Sequence, residues 1–174
     1  DWVRGVNRLR ALLTSIFPAL EASFDYSTRS ALILLTGYCT PAEIRQAGPE
    51  TLAAYLREHG AWAKGIEKMA ARACRVAEEQ TVALPGEAAT ALLVKKLARQ
   101  LLDLDREIKD TDKLITSRFR DHPQARIIES LPGMGPILGA QFLVATDGRV
   151  LEAFASSGRL ASYAGLVPVP KDSG

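Results

Sequence analysis

The chain has 174 residues, 47% of them hydrophobic and 24% charged, with a formal net charge of +2. That is enough apolar material for a real core in one or two domains, and too little net charge for a basic surface over the whole molecule, so any nucleic-acid site has to be a local patch. Cys39 and Cys74 have no metal-like spacing and make no disulfide framework, which suits a reducing cytoplasm; His59 and His122 stand alone, and no run of residues reads as a membrane span or signal peptide.

Residues 2–22 read as an amphipathic helix with Val3, Val6, Leu9, Leu13 and Ile16 on one stripe. Arg4, Arg8 and Arg10 lie around it as a solvated basic face, and Pro18 should bend or restart the helix. A short apolar helix is expected over 27–37, ending at Gly37. Thr40-Pro41-Ala42-Glu43 is a capping-box start, the threonine capping and the glutamate reaching back. That helix should stop at Gly48-Pro49, and Pro49 should begin another that runs through Tyr55 and Leu56 to Gly60. From Trp62 to Ala83 the pattern is helical and rich in alanine and charge, with Gly65 as a weak point, until Leu84-Pro85-Gly86 breaks it.

The helix over 87–121 is the longest expected, about 50 Å at 1.5 Å per residue. Val94, Leu97, Leu101, Leu104, Ile108, Thr111 and Ile115 alternate in steps of three and four, a coiled-coil seam of about three heptads. It fits an antiparallel hairpin with the preceding helix or a dimer between chains equally well. Asp103, Asp105, Glu107, Asp110 and Asp112 interleave with Arg106, Lys109 and Lys113, which reads as a solvated face and not as a metal site. No strand pattern stands out, and Phe142-Leu143-Val144-Ala145 continues a helix that Asp147-Gly148 ends. Ser156 or Ser157 should cap a last helix from Arg159 to Ala164, before a tail of turn chemistry over 170–174. Both ends look cut, Asp1 in place of a methionine and Gly174 in a loop-like segment, as in a piece of a longer protein.

The densest signal is Leu131-Pro132-Gly133-Met134-Gly135-Pro136-Ile137-Leu138-Gly139-Ala140. Two glycines one residue apart before a helix start let a backbone approach a phosphate, because glycine has no Cβ and accepts positive φ. Pro136 fits the first helical turn, where a missing N–H costs nothing, and the helix N-terminus then faces the anion. With Ile127, Ile128 and Leu131 before the turn and Ile137, Leu138, Ala140 and Leu143 after it, the pattern resembles the helix-hairpin-helix element that grips DNA through backbone amides. The plainer account is a tight helix connection with no ligand. Gly133 and Gly135 are candidate backbone donors, with Arg126, Arg149, Arg159 and Lys171 as phosphate partners. Phe119, Phe142, Phe154 and Tyr163 fit core positions, and no aromatic platform for single-strand stacking is evident.

The run from Ile127 to Gly174 resembles the C-terminal domain of transposases of the insertion sequence 110 family, also named after 116 and 902. Carrying the likeness are Leu131-Pro132-Gly133-Met134-Gly135-Pro136, the stretch from Phe154-Ala155-Ser156-Ser157 through Tyr163-Ala164-Gly165-Leu166-Val167-Pro168, and Ser173-Gly174. Asn7-Arg8-Leu9-Arg10-Ala11-Leu12-Leu13 and Phe17-Pro18-Ala19-Leu20-Glu21 resemble the segment that follows the family's catalytic domain. The resemblance implies an acidic, metal-holding domain elsewhere in the whole enzyme, Mg²⁺ as its cofactor, a guide RNA, and a nucleophilic serine whose best match here is Ser173. A serine hydroxyl needs activation, and no base lies near Ser173 in sequence. Nothing in this chain matches the acidic domain, so the chain alone is expected to be inactive and to hold no cofactor.

The expectation is therefore an all-α chain: a helical segment over 1–60, a long-helix coiled-coil connector over 61–122 forming a helical hairpin, and a helix-hairpin-helix-like start of the transposase C-terminal domain over 123–174. Its function would be DNA binding and oligomerisation within a cytoplasmic transposase that cleaves and rejoins DNA strands, with DNA, guide RNA and a second copy as partners and no membrane. The alternatives are a non-catalytic helical DNA-binding scaffold using the Gly-x-Gly hairpin, or a helical interaction domain without nucleic acid.

Overall fold

The computed structural model describes residues 1–148, 154 and 156–163, and all regular structure among them is helical. In chain order these are α1 (Trp2–Ile16), α2 (Pro18–Glu21), α3 (Arg29–Gly37), α4 (Pro41–Glu58), a 3₁₀ turn (Ala63–Gly65), α5 (Ile66–Glu79), α6 (Glu87–Arg120), α7 (Ala125–Glu129), α8 (Pro136–Ala145) and α9 (Ser157–Tyr163). Contacts divide the chain into two units, Asp1–Ile108 and Lys109–Gly174.

In the first unit the α1 stripe buries Leu9, Leu13 and Ile16 and leaves Val3 exposed. Pro18 restarts the helix as expected: α1 ends at Ile16, Phe17 turns out to φ −147°, and its ring is buried between the two helices. Helix α3 buries Ala31 through Leu35 without interruption, the signature of a helix surrounded by protein. Tyr26 donates its hydroxyl to the Leu20 carbonyl at 2.7 Å, so its buried oxygen is satisfied.

The capping box forms as the sequence predicts. Glu43 N–H donates to Thr40 Oγ1 at 3.2 Å, and the Glu43 carboxylate accepts from the Thr40 and Cys39 N–H groups. Gly48, at φ 72°, breaks the helical path, and Pro49 opens the second segment of α4. Helix α5 runs antiparallel to α4. Arg45, early in α4, donates to the Ala77 and Gln80 carbonyls at the end of α5, while Arg57, at the end of α4, pairs with Glu67 at 2.7 Å. Small residues, Ala70, Ala73 and Ala77, form the buried face of α5 and let the two helices approach closely.

Two boundaries differ from the expected ones. The helix predicted from Trp62 begins at Ile66, after the 3₁₀ turn, and ends at Glu79. Its end is set by tertiary contacts: the Gln80 side chain donates to the Ile16 carbonyl at 2.8 Å, and Arg45 occupies the last carbonyls that a further turn would need.

The portion of α6 in the first unit buries Ala91, Val94, Ala98 and Leu101 in the same core. Leu101 lies where a Cβ on Gly5 would come within 2.8 Å of it. Lys95 pairs with Glu43, and Arg99 reaches the Thr36 carbonyl at 3.3 Å. The seam predicted for α6 is thus taken up by its own helical cluster at Val94, Leu97 and Leu101, while Ile108 is exposed. In the second unit, Phe119 near the end of α6 packs with Ala125 and Ile128 of α7 and Leu143 of α8, with Met134, Ala140 and Phe142 around them.

Candidate nucleic-acid interface

Helix α7 leads into the glycine-bearing connection through a Leu131 N–H bond to the Ile128 carbonyl at 3.1 Å. A Met134 N–H bond to the Leu131 carbonyl, also 3.1 Å, closes a four-residue turn with Pro132 second and Gly133 third. Gly133 sits at φ 79°, where glycine avoids the strain that a Cβ would bring and where a type II turn requires it. Gly135 is the N-cap of α8 at φ −78°, Pro136 follows at the first helical position, and the Gly135 carbonyl accepts the first helical bond from Gly139 N–H at 2.8 Å.

The two glycines differ physically. Gly133 is a glycine because of its dihedral angle. Gly135 has an ordinary φ, and beyond its chain neighbours no described residue lies within 4 Å of where its Cβ would be. Among the described residues neither strain nor packing demands glycine there; its missing side chain leaves open space before an N-terminus that has no side-chain cap. The first N–H groups of a helix have no partner within it and carry the positive end of its dipole.

A third glycine, to which sequence reasoning gave no role, lets α8 pack closely on α6 and α7. A Cβ on Gly139 would fall 2.5 Å from Phe119 Cζ and 3.1 Å from Ile128 Cγ2. The signal was available in principle: a glycine inside an otherwise apolar helical run marks a close approach. Around the turn, Ile127, Leu131 and Leu138 are exposed.

The other predicted contacts are spread out. Arg126 is exposed on α7, one helix before the turn. Arg159 is exposed in the first turn of α9, where Ser156 Oγ accepts from its backbone N–H at 3.3 Å, which identifies Ser156 as the cap. Tyr163 donates its hydroxyl to the Ala145 carbonyl at 3.4 Å, tying α9 to the end of α8 opposite Gly135. Arg149, Lys171 and Ser173 lie outside the described residues. Of the four aromatics expected in the core, Phe119 is buried and Phe142 and Phe154 are half-buried. Tyr163 corrects the expectation: it is 66% exposed, its ring tilted against Phe154 at 5.3 Å between centroids.

Among the described residues no group of three or more His, Cys, Asp or Glu could hold a metal ion. No described helix is long and apolar enough to cross a membrane. Cys39 is no nucleophile either: burial, then the nearby Glu43 carboxylate, pushes its thiol up to about 12, and its Sγ donates to the Ala91 carbonyl at 3.5 Å.

Residues 125–174, beginning at the first residue of α7, match the model of the transposase IS116/IS110/IS902 family. Over these residues the chain is similar to that family. It is 48% identical, over its whole length, to a 44.8 kDa protein of insertion element IS116 from Streptomyces clavuligerus, covering 43% of that protein. It is 51% identical, again over its whole length, to a 42 kDa protein of insertion element IS900 from Mycobacterium paratuberculosis, of which it covers 43%. A 43.6 kDa protein of IS110 from Streptomyces coelicolor is 31% identical over 98% of this chain and 42% of its own length. The chain thus spans less than half the length of these curated relatives. No solved structure matches it.

Proposed function

We propose that this chain is a DNA-handling part of a transposase that cleaves and rejoins DNA strands as an insertion sequence moves. In this reading the second unit takes a backbone phosphate on the Gly133–Gly135 turn and the first N–H groups of α8, which act together as an anion site. Arg126, Arg149, Arg159 and Lys171 are the candidate partners for other phosphates of the bound DNA. The single observation that carries the reading is the open N-cap at Gly135, a glycine that packing among the described residues does not explain, inside the stretch that the family model matches.

In the whole enzyme Ser173 would be the nucleophile: its oxygen attacks a DNA phosphorus, the strand's own oxygen leaves, and the enzyme holds that strand until it is rejoined. Mg²⁺ and its acidic ligands would belong to the acidic domain that the resemblance places elsewhere in that enzyme. Guide RNA pairing with donor and target DNA, action in the cytoplasm and self-association through α6 complete the proposal. The second reading, a helical scaffold that binds DNA without cutting it, shares the turn and dispenses with Ser173.

Two measurements test this. Duplex DNA binding by the chain should weaken steeply with salt, and Gly135→Val, which fills the open N-cap, should weaken it at every salt concentration; affinity indifferent to both changes overturns the anion site. With the whole enzyme, guide RNA, Mg²⁺ and a nicked suicide substrate, wild type should give a covalent protein–DNA adduct on a denaturing gel and Ser173→Ala should give none. An adduct that persists in the variant places the nucleophile elsewhere; binding without an adduct in either protein favours the scaffold.

A further inference from the structure

The first unit has a feature that DNA handling by the second unit does not use. Trp62 is 68% exposed in the connection between α4 and the 3₁₀ turn. Its backbone is held at two points: its N–H donates to Ser30 Oγ at 2.9 Å, and its carbonyl accepts from Gly65 N–H at 3.1 Å. The ring is held from one side. A Cβ on Gly65 would stand 3.0 Å from Trp62 Cε3 and 3.3 Å from Cζ3, so the backbone of the turn lies directly against the six-membered ring. An indole so positioned and still open to water gains little from the fold that fixes it.

The ring borders a cleft of about 570 Å³. Ala61, Ile66 and Met69 supply its apolar walls, and Thr28 and Arg29 at the start of α3 supply its polar edge. Among the described residues Arg29 is the one charged residue lining it, and no carboxylate does. The volume lies in the range of sites that take a small flat ligand, and the composition matches: mostly apolar walls with a few polar groups at one side. A fixed aromatic face, a thioether at contact distance from the same space and a single cation suit a flat aromatic group that carries a negative charge. An unpaired nucleotide is such a group, its base stacked on the indole and its phosphate toward the guanidinium. A duplex, whose bases are already stacked on one another, offers no such face.

We propose that this cleft is a binding site for an unpaired nucleotide of single-stranded nucleic acid, with Trp62 as the stacking platform and Arg29 as the phosphate contact. It is independent of the Gly133–Gly135 turn, since it draws on different residues in the other unit.

The chain has two tryptophans, Trp2 and Trp62, so a Trp2→Phe background leaves Trp62 as the sole indole reporter. Titrated with short oligothymidylate and oligouridylate, that protein should show saturable quenching of Trp62 emission by one or both, and none with a blunt duplex of the same length. The two single strands distinguish DNA from RNA as the source. In the wild-type background, anisotropy of a labelled single strand should weaken about ten-fold with Trp62→Ala and recover to near wild type with Trp62→Phe. Arg29→Ala should lower the slope of log affinity against log salt by about 0.7, one phosphate on a single strand. Circular dichroism of each variant separates lost binding from lost fold, and the phenylalanine variant keeps the test meaningful if the alanine variant unfolds. Emission that stays unmoved by either strand, or single-strand affinity unchanged by Trp62→Ala, overturns the proposal, as does equal quenching by the duplex.

Discussion

The two units of this chain bury their apolar residues in opposite styles. The first closes on itself: leucines and isoleucines from α1, α3, α4 and α6 lie at or near zero exposure. Its polar crossings are also partnered, with Glu43 under Lys95, Arg45 on the end of α5 and Gln80 on the end of α1. Among the described residues the second unit has a small core around Phe119 and leaves Ile127, Leu131, Leu138 and Val144 exposed. The difference lies in the interior: the first unit has a deep core drawn from helices α1 to α6, the described part of the second a small one around a single ring.

The sharpest way to break that comparison is to remove a core residue from each side. Phe119→Ala deletes the ring on which α8 sits at Gly139 and should destabilise the second unit by about 3 kcal/mol. Leu34→Ala should destabilise the first by a similar amount, about 3 kcal/mol. Hydrogen exchange reads the two separately. Phe119→Ala should strip protection from α7 and α8 and leave α3 protected, since Leu34 and its neighbours keep all their contacts. Equal loss of protection in α3 would show that the units unfold together and that the contrast has no energetic meaning.

Much of the first unit was legible because its signals are local. The capping box at Thr40–Glu43, the break at Gly48-Pro49 and the restart at Pro18 are each written within four residues, and each forms as expected. What could not be read was set by distant residues. The end of α5 depends on Arg45 and on the Ile16 carbonyl. The seam on α6 shows correct spacing but not which surface it meets, and its first half meets the cluster around Gly5 and Thr36. At the interface the Gly-x-Gly turn was legible for the same local reason. That Gly133 serves the turn while Gly135 caps α8 with no described residue packed where its Cβ would be depends on dihedral angles and open space. Trp62 was hidden by its own setting: at the head of a helical pattern rich in alanine and charge, nothing local marks its ring as exposed beside a cleft.

Acid should sharpen the contrast at an intermediate scale. Burial pushes the Glu43 carboxyl up, but the Cys39 N–H, the Lys95 ammonium and the Thr40 N–H together outweigh it and hold the group below its usual range. A carboxylate depressed in the folded state stabilises that state above its unfolded pKa, near 4.5, and the contribution is lost as pH falls through the folded value. The first unit should therefore weaken toward acid, and Glu43→Gln should be less stable at neutral pH with a shallower acid dependence. Thermal unfolding followed at pH 7 and pH 4 checks this. A Glu43→Gln variant whose loss of stability is the same at both values would show that the carboxylate's charge contributes nothing to joining α4 to α6.

The smallest expected effect is the most useful for separating fold from recognition. Gly135→Ala should change the stability of the second unit by less than about 0.5 kcal/mol, because two terms oppose each other. Alanine is a poorer N-cap than glycine, whereas removing a glycine narrows the unfolded ensemble and returns about 0.4–1 kcal/mol. No steric term enters, since the Cβ site is open and φ is −78°. Gly133→Ala differs in kind: φ is 79° there, and a residue with a Cβ in the left-handed region loses roughly 1–2 kcal/mol. The pair thus forms an internal control. If duplex DNA affinity falls with Gly135→Ala while its melting temperature holds, the missing side chain matters to the ligand and not to the chain. If Gly135→Ala melts lower by as much as Gly133→Ala, the open N-cap is a structural requirement after all, and the case for a phosphate there loses the observation on which it stands.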